Sequence, residues 1–508
     1  MFTRYLVPSM TDSSKPLPTL NTRSAGVLLH ATSLGGHYGT GDLGKSAFLF
    51  VDWLERAGFR WWQMLPITPA SAENSPYESI SAFAGWEALI SLEQLIEPGL
   101  LKRRELAEFD KLPEHTANFT VAQKIRRKLL RTAYQRFEPT EDFHAFCAEH
   151  QHWLEDWALH EAIRSTQRNH PWHQWPEALR LRHKHALADA RKELAPEAGF
   201  HVFVQYLFEC QWSLLRAVCR DAGIALIGDV PIFVGMDAAD VWANRRLFDL
   251  DRHGEPNAIS GVPPDMFSAT GQIWDHPLYN WKNHAKTNHT WWAQRMRRTL
   301  QQFDAVRIDH FLGFCRYWAI PASTRDARDG RYRKGPGASF FASLIEQLGP
   351  MNVIAEDLGV VTDQAIELRD AMGFPGMSVT QFGFGEDNAQ HAPHNHLKHS
   401  VAYSGTHDND TLVGFFRNAE PNVQKRILTY TAGSPATVAQ DLTRLTLASP
   451  ADVAIIPPQD LLALGSEHRM NIPGKKRGNW TWRLPPKALT TTLAKQLNPL
   501  LKATGRLA

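Results

Sequence analysis

Three short segments of the chain each end in a carboxylic acid, the side chain that carries glycosidic-bond chemistry in proteins. The acids are Asp309, Glu356 and Asp408, which end the stretches AVRID, VIAE and YSGTHD. A strand that buries its apolar residues and ends in an acid presents that acid at the rim of a parallel sheet or barrel. If the three ends meet in one pocket, they supply the paired carboxylates that cleave a glycosidic bond.

Arg307 and Asp309 form the first candidate pair. They are two residues apart in a predicted strand, so their side chains point to the same side. An Arg beside an Asp lowers the pKa of the carboxyl group, and an ionised Asp is what a nucleophile at a sugar carbon requires. From these residues alone, a structural ion pair at the barrel rim is an equally good interpretation.

Glu356 is the candidate general acid. It ends an apolar run near other carboxylates, so we expect its pKa to be raised and its proton to be kept near neutrality. Asp357 points to the opposite side and is expected to be structural. Asp408, beside His407, is placed to bind sugar hydroxyls, whereas Asp229 is either a rim residue bonded to backbone or a catalytic residue.

A repeating pattern predicts the elements that position these acids. The clearest helix covers 45–57, with Phe48, Val51 and Leu54 at helical spacing and Gly58 as its stop. Such helical stretches alternate with short apolar or β-branched runs, which predicts an α/β fold, a (β/α)8 TIM-type barrel. Eight runs are candidate strands: 27–30, 61–65, 225–230, 305–309, 353–356, 378–382, 401–406 and 453–456.

Residues 1–22 are predicted to be a flexible tail, and 23–508 a single catalytic barrel. Two insertions interrupt the strand–helix repeat of this barrel on its catalytic face. From about 95 to 223 the pattern is mainly helical. From about 235 to 290 the chain is rich in Pro, Gly, Asp, Asn and Trp, which favours an ordered loop over the barrel mouth.

Composition excludes several classes of function. The 508 residues carry 55 Lys+Arg and 53 Asp+Glu, a formal charge of +2, which gives no support for nucleic-acid binding. No apolar run reaches membrane-spanning length, and the first residues lack the apolar core of a secretory signal. Four cysteines without metal-type spacing suit free thiols in a reducing compartment. We therefore expect a cytoplasmic protein without nucleic-acid or membrane partners.

Two motifs suggest other chemistry. The stretch 39–44 matches G-x-G-x-x-G, but it begins well after the predicted strand and no acid for a ribose closes the next strand, so a tight turn is the preferred interpretation. The pairs His407-Asp408 and Asp309-His310 could suggest a metal-dependent phosphohydrolase. That interpretation is disfavoured because Glu356 and Arg307 have no role in it.

The motifs in combination resemble amylomaltases, the bacterial 4-α-glucanotransferases related to the α-amylase clan. The resemblance extends from about residue 23 to residue 483. It rests on the stretches GTGDLG (39–44), SPY (75–77), SAFAG (81–85), GDVP (228–231), PPD (263–265), RIDH (307–310), AEDLG (355–359), PGM (375–377), GTHDN (405–409), RMNIPG (469–474), GNW (478–480) and WR (482–483).

This resemblance implies a role for each candidate. Asp309 is then the nucleophile, Glu356 the general acid/base and Asp408 the stabiliser of the transition state. The positions that correspond to substrate-binding residues are Tyr77, Asp229, Asp265, Phe267, Trp274, Arg307, His310, Glu386, His407 and Asn471.

The chain departs from the family pattern away from the three acids. Residues 85–87 and 275–277 read Gly-Trp-Glu and Asp-His-Pro where the family often has Gly-Asn-Pro, and Glu386 stands where an Asp is common. These departures concern the subsites, chiefly acceptor preference and preferred chain length.

The implied activity is transfer of α-1,4-glucan segments between malto-oligosaccharides by a retaining double displacement. Retention predicts carboxyl groups about 5–5.5 Å apart. One α-1,4 bond replaces another, so no cofactor or metal is expected. A hydrolase of the same clan and a non-catalytic glucan-binding protein remain the alternatives.

Overall fold

The computed structural model describes residues 15–71, 73–264, 269–324, 326–385, 389–475 and 477–507. Its centre is a sheet of eight parallel strands in the order β10-β11-β12-β1-β2-β3-β6-β9. These are β1 (Ser24–Leu28), β2 (Trp61–Gln63), β3 (Ala225–Pro231), β6 (Ala305–Asp309), β9 (Val353–Ala355), β10 (Gly376–Val379), β11 (Ser400–Tyr403) and β12 (Val453–Ile456).

The sheet curls into a nearly closed barrel. Its two end strands, β9 and β10, approach each other where the Ala355 N–H donates to the Pro375 carbonyl over 2.9 Å. The strands are buried almost throughout, as expected for a parallel sheet covered by helices. The predicted (β/α)8 barrel and its eight strands are confirmed, with ends that differ from the predicted ones by a few residues.

Helices cover the barrel, and the first ends where the sequence predicted. Helix α1 stops at Gly58, which adopts the left-handed conformation (φ 89°). The helices are α1 (Lys45–Ala57), α2 (Phe119–Gln135), α3 (Glu141–Thr166), α4 (Glu177–Arg180), α5 (Lys184–Glu193), α6 (Ala195–Asp221), α7 (Ala239–Ala243), α8 (Trp281–Lys286), α9 (Thr290–Gln302), α10 (Ala338–Leu348), α11 (Asp363–Ala371), α12 (Leu412–Asn418), α13 (Pro421–Thr431), α14 (Val438–Ala448), α15 (Pro458–Leu461) and α16 (Thr491–Ala503).

The segment between β2 and β3 contains α2 to α6 and is otherwise made of turns and short 3₁₀ helices. Among its described helices, none is both long and apolar enough to cross a membrane, and the same holds for the rest of the described chain. The four cysteines are free thiols.

The glycine-rich stretch 39–44 is a tight turn that packs against residues 31–34, which follow β1. The Gly41 N–H donates to the Thr32 carbonyl, and a Cβ on Gly41 would lie 2.1 Å from the Ala31 oxygen. Gly44 immediately precedes α1 and donates to Asp42 Oδ1. The glycines therefore serve close packing of backbone on backbone, as their spacing from the predicted strand indicated.

A second sheet lies in and beyond the 235–290 segment. It is antiparallel, with the order β5-β4-β7-β8, and its strands are β4 (Ala258–Val262), β5 (Gln272–Pro277), β7 (Arg316–Pro321) and β8 (Arg331–Lys334). The sequence indicated a loop here and showed no sign of these strands. The reason is that the sheet depends on a long-range pairing: β4 lies between β5 and β7, and β7 follows β6 in the chain.

The two ends of the described chain meet at the bottom of the barrel. Of the predicted tail, residues 1–14 lie outside the described residues, while Leu20 is buried and Lys15 pairs with Glu55 over 2.6 Å. At the other end Arg506 is fully buried. Its guanidinium donates to the main-chain carbonyls of Ser24, Leu447, Ser449, Ala451 and Asp452.

Through these hydrogen bonds Arg506 links the starts of β1 and β12, and we call this contact the Arg506 clamp. Arg506→Met should lower the free energy of unfolding by about 3 kcal/mol or more, because it removes five buried hydrogen bonds from a charged donor, each of which contributes about 1.5–3 kcal/mol. The urea midpoint of the variant measures the loss. Lys502→Met, on an exposed position of α16, should stay within about 0.5 kcal/mol of the parent chain. Equal midpoints for the two variants would contradict the clamp.

Candidate active site

The candidate residues meet at the carboxyl ends of neighbouring strands. In the β3–β6 ladder Asp229 is paired with Arg307, and in the β6–β9 ladder Ile308 is paired with Ala355. Asp309 and Glu356 each follow this last pair by one residue. Their backbones are therefore separated by about the 4.8 Å of strand spacing, and their side chains share one face.

Arg307 bridges two carboxylates. Its Nη1 donates to Asp229 Oδ2 over 2.6 Å and its Nη2 to Asp309 Oδ1 over 2.7 Å. Burial would lower the pKa of Arg307, but the two carboxylates raise it well above its usual value. Asp309 keeps 29% of its side chain exposed, whereas Asp229 keeps 1%. The predicted same-side pair is confirmed, and only its Asp309 end opens to the cleft.

Asp229 belongs to a side-chain network and is not a rim residue capped by backbone. Its Oδ2 accepts a hydrogen bond from the Tyr77 hydroxyl over 2.6 Å in addition to that from Arg307. Burial raises the pKa of Asp229 to about 6; Arg307 opposes this shift and the negative charge of Asp309 adds to it. Of the two interpretations that the sequence left open, the structure favours participation in the site.

Glu356 is held by two main-chain N–H groups. His310 donates to Oε2 over 2.7 Å and Leu358 to Oε1 over 3.0 Å. His310 has a left-handed backbone (φ 52°), which turns its N–H toward the acid. Burial raises the pKa of Glu356 to about 7, aided by Asp309 and opposed by Arg307 and the two N–H groups. The predicted direction of this pKa shift is confirmed.

Asp408 is the most exposed of the three acids, with 47% of its side chain accessible. Asn471 Nδ2 donates to its Oδ1 over 2.6 Å, His407 Nε2 lies 3.4 Å from its Oδ2, and Arg469 donates to its main-chain carbonyl over 2.8 Å. Burial would raise the pKa of Asp408, but His407 and Asn471 lower it below its usual value. The carboxylate therefore stays ionised.

A cluster of rings supports this side of the cleft. His407 is stacked on Tyr77, with ring centroids 4.9 Å apart and planes 17° apart, and Trp480 lies 5.9 Å from both rings. Trp480 was part of a sequence motif but had no predicted role. Trp480 has a left-handed backbone (φ 65°), which the sequence does not indicate. The position of its ring is therefore known only from the structure.

Trp274 belongs to β5 and reaches the site at the end of β6. Its ring meets that of His310 edge to face, with centroids 4.9 Å apart. This contact brings β5 of the second sheet to the end of β6. Three further predicted positions, Asp265, Phe267 and Glu386, lie outside the described residues.

Two more residues near the site were not singled out by the sequence as binding residues. His30, at the end of β1, is buried with neither ring nitrogen hydrogen-bonded among the described residues. Burial, and then the neighbouring His407, lower the pKa of His30 to about 3. Asp357, which was expected to be structural, accepts from the Met377 N–H over 2.8 Å and pairs with Arg369.

No cluster of three or more His, Cys, Asp or Glu side chains suited to a metal ion occurs among the described residues. The histidine-rich stretch 391–396 is engaged in local contacts: His391 accepts from the Val379 N–H, and His394 bonds the Tyr430 hydroxyl. The site instead brings together two carboxyl groups in different surroundings: Asp309 is bonded to Arg307, and Glu356 has a pKa of about 7. Such a pair can act as nucleophile and acid at a glycosidic bond.

Known proteins agree with this chemistry. A family model described as 4-alpha-glucanotransferase matches residues 29–490. The 4-alpha-glucanotransferase of Thermus thermophilus is 42% identical over 501 residues, covering 96% of this chain and 99% of the relative. That of Aquifex aeolicus is 43% identical over 466 residues, covering 91% and 95%. An amylomaltase from Streptococcus agalactiae, solved in complex with acarbose, has a TM-score of 0.93 at 35% identity, covering 96% of this chain and 100% of that one. The chain belongs to the 4-alpha-glucanotransferase family.

Proposed function

We propose that this chain moves α-1,4-linked glucan segments between malto-oligosaccharides by a retaining double displacement. The observation that carries the proposal is the pairing of Asp309, bonded to Arg307, with Glu356, whose pKa is about 7, on adjacent strands. The strand spacing of about 4.8 Å suits the 5–5.5 Å separation of carboxyl groups in retaining enzymes. Family membership supports the substrate class.

Asp309 is the proposed nucleophile. Asp309 Oδ1 accepts a hydrogen bond from Arg307, and among the described residues no hydrogen bond from the protein reaches Asp309 Oδ2. That oxygen attacks the anomeric carbon and forms an ester, while the bond from this carbon to the leaving O4 breaks. Arg307 is fixed by Asp229 on its other side, so it holds the attacking group in place throughout.

Glu356 is the proposed general acid and then general base. It gives its proton to the departing O4 in the first step, so the leaving sugar departs with a free hydroxyl group. In the second step the 4-OH of an acceptor attacks the anomeric carbon of the ester, the bond from this carbon to the Asp309 oxygen breaks, and Glu356 takes the proton of that hydroxyl. Asp309 is released and a new α-1,4 bond replaces the old one.

Asp408 is the proposed stabiliser of the transition state. Its ionised carboxylate, held by Asn471 and His407, is suited to bind hydroxyls of the glucosyl unit while the ring flattens and gains positive charge. Tyr77 and the stacked His407 provide an aromatic floor on that side. In this scheme the substrate-binding residues are Tyr77, Asp229, Asp265, Phe267, Trp274, Arg307, His310, Glu386, His407 and Asn471.

Transfer and hydrolysis share the same acids, so the acceptor decides between them. Incubation with maltotriose alone should yield glucose and a series of longer chains, with the total of reducing ends nearly constant, because each bond broken is matched by one formed. Chromatography of the products and a reducing-end assay measure both quantities. A steady rise in reducing ends, without products longer than maltotriose, would identify a hydrolase and refute the proposal.

The roles of Glu356 and Asp309 are separable with a fluoride donor. Glu356→Gln should slow sugar-to-sugar transfer about 10²–10⁴-fold, since one group serves both steps. α-Maltosyl fluoride needs no acid to leave, so the variant should form the ester and accumulate it. Mass spectrometry of the digested protein should find the maltosyl adduct on the peptide that contains Asp309.

The control is the double variant Glu356→Gln with Asp309→Ala, which should form no adduct. An adduct on the peptide containing Glu356 or Asp408 in the otherwise active protein would overturn the assignment.

The pH dependence follows from the raised pKa of Glu356. The acid step needs the protonated form, which is present below pH 7 and lost above it. With a malto-oligosaccharide donor, kcat/KM should therefore fall about tenfold per pH unit above about 7, since this parameter reports the free enzyme. With α-maltosyl fluoride the fall should be absent from the glycosylation step. A profile that stays level to pH 9 with both donors would contradict this role.

A further inference from the structure

The strand β5 is distorted where it approaches the catalytic acids. Ile259 of β4 is paired with Pro277, but Gly261, two residues on, is paired with Ile273, four residues back. Two extra residues are thus accommodated on β5, and Asp275 among them has a left-handed backbone (φ 62°). Bulges of this kind redirect side chains and are common beside active sites.

Trp274 and His276 share one face of β5: both residues are half-buried, whereas Ile273 and Asp275 are exposed. Trp274 packs edge to face on His310, whose N–H holds Glu356. His276 is partly buried, which lowers the pKa of its imidazole to about 4, and the carboxylate of Asp309 opposes the shift. The ring of His276 is therefore within electrostatic reach of Asp309 and neutral near pH 7.

Among the described residues, the hydrogen-bonding capacity of the His276 imidazole is unused. A neutral imidazole carries one N–H donor and one acceptor nitrogen. Across the described part of the chain neither nitrogen takes part in a hydrogen bond, and neither is a sealed buried atom. His407 is by contrast engaged by Asp408 and Tyr77.

The position of His276 defines which sugar it can meet. One side of the cleft faces the glucosyl unit bound to Asp309, and it is formed by Asp408, His407, Tyr77 and Trp480. The bulge lies next to the residue that holds the acid Glu356, because Trp274 packs on His310. Since Glu356 acts on O4 of the departing and the incoming sugar, the bulge faces that sugar.

We propose that His276 is a specificity-determining residue that hydrogen-bonds a hydroxyl of the acceptor sugar, and of the leaving sugar in the reverse direction. The inference rests on the proposed transfer reaction and adds a residue to its acceptor side. An imidazole that is held neutral binds a hydroxyl without the desolvation cost of a charged group.

The test separates acceptor use from donor use. α-Maltosyl fluoride serves as donor and maltose as acceptor, and fluoride release is followed while each is varied. In His276→Ala the KM for maltose should rise about tenfold, the loss of one hydrogen bond of about 1.4 kcal/mol. The kcat/KM for the fluoride donor should stay within about twofold. His276→Asn, which retains a donor and an acceptor, should recover most of the loss.

Ile273→Ala is the matched control, because Ile273 lies on β5 beside the bulge and is exposed. It should leave the KM for maltose within about twofold of the parent chain. Deoxy analogues of maltose give a second measurement on the unaltered protein. The analogue that lacks the bonded hydroxyl should show a raised KM with the parent chain and no further rise with His276→Ala.

An unchanged KM for maltose in His276→Ala, or equal losses for donor and acceptor, would overturn the assignment. It would also be overturned if Ile273→Ala reproduced the effect, because the bulge would then act through packing. Failure of the transfer reaction itself has a different signature: fluoride release by the parent chain would be independent of maltose, and no maltosyl-maltose would form.

Discussion

The double ion pair of Arg307 is the constraint on which the site depends. One guanidinium binds Asp229 on β3 and Asp309 on its own strand, at 2.6 and 2.7 Å. Three charges of this kind are costly to bury unless geometry is good and the remaining hydrogen bonds are made. The in-register pairing of β3 with β6 provides that geometry, and Tyr77 completes the bonding of Asp229. The barrel thus fixes the orientation of Asp309 from two strands at once.

The surroundings of the two central acids differ. Arg307 bonds directly to Asp309. Burial raises the pKa of Glu356 to about 7; Arg307 opposes this shift and the negative charge of Asp309 adds to it. A carboxylate paired with an Arg, beside a second acid that keeps its proton near neutrality, is the arrangement that a nucleophile and a general acid require. If Arg307 were removed, Asp229 and Asp309 would be left as unpaired like charges, so the variant would lose more than one hydrogen bond.

The sequence predicted the barrel because local patterns determine it. Strands that are buried on both faces appear as short apolar runs, and helix α1 carries its own stop at Gly58. The same-side placement of Arg307 and Asp309 follows from the two-residue repeat of a strand. The second sheet could not be predicted, because β4 pairs with β7, a strand that follows β6 in the chain, and such a long-range pairing leaves no local signal. The place of Trp480 beside Tyr77 depends on a turn at the far end of the chain, for which no local signal exists.

The catalytic acids and the residues proposed to bind the acceptor therefore lie in different parts of the molecule. Asp309 stands on β6, which is paired with β3 and β9, and Glu356 directly follows β9, so the geometry of this pair of acids tolerates little variation. The acceptor side is built from a bulge on β5, in a sheet that touches the barrel at ring contacts such as Trp274 on His310. Substitutions there can alter which sugar is accepted without disturbing Arg307 or the acids. The departure of residues 275–277 from the family pattern falls in this bulge, where a sequence change can alter acceptor preference while the reaction itself is kept.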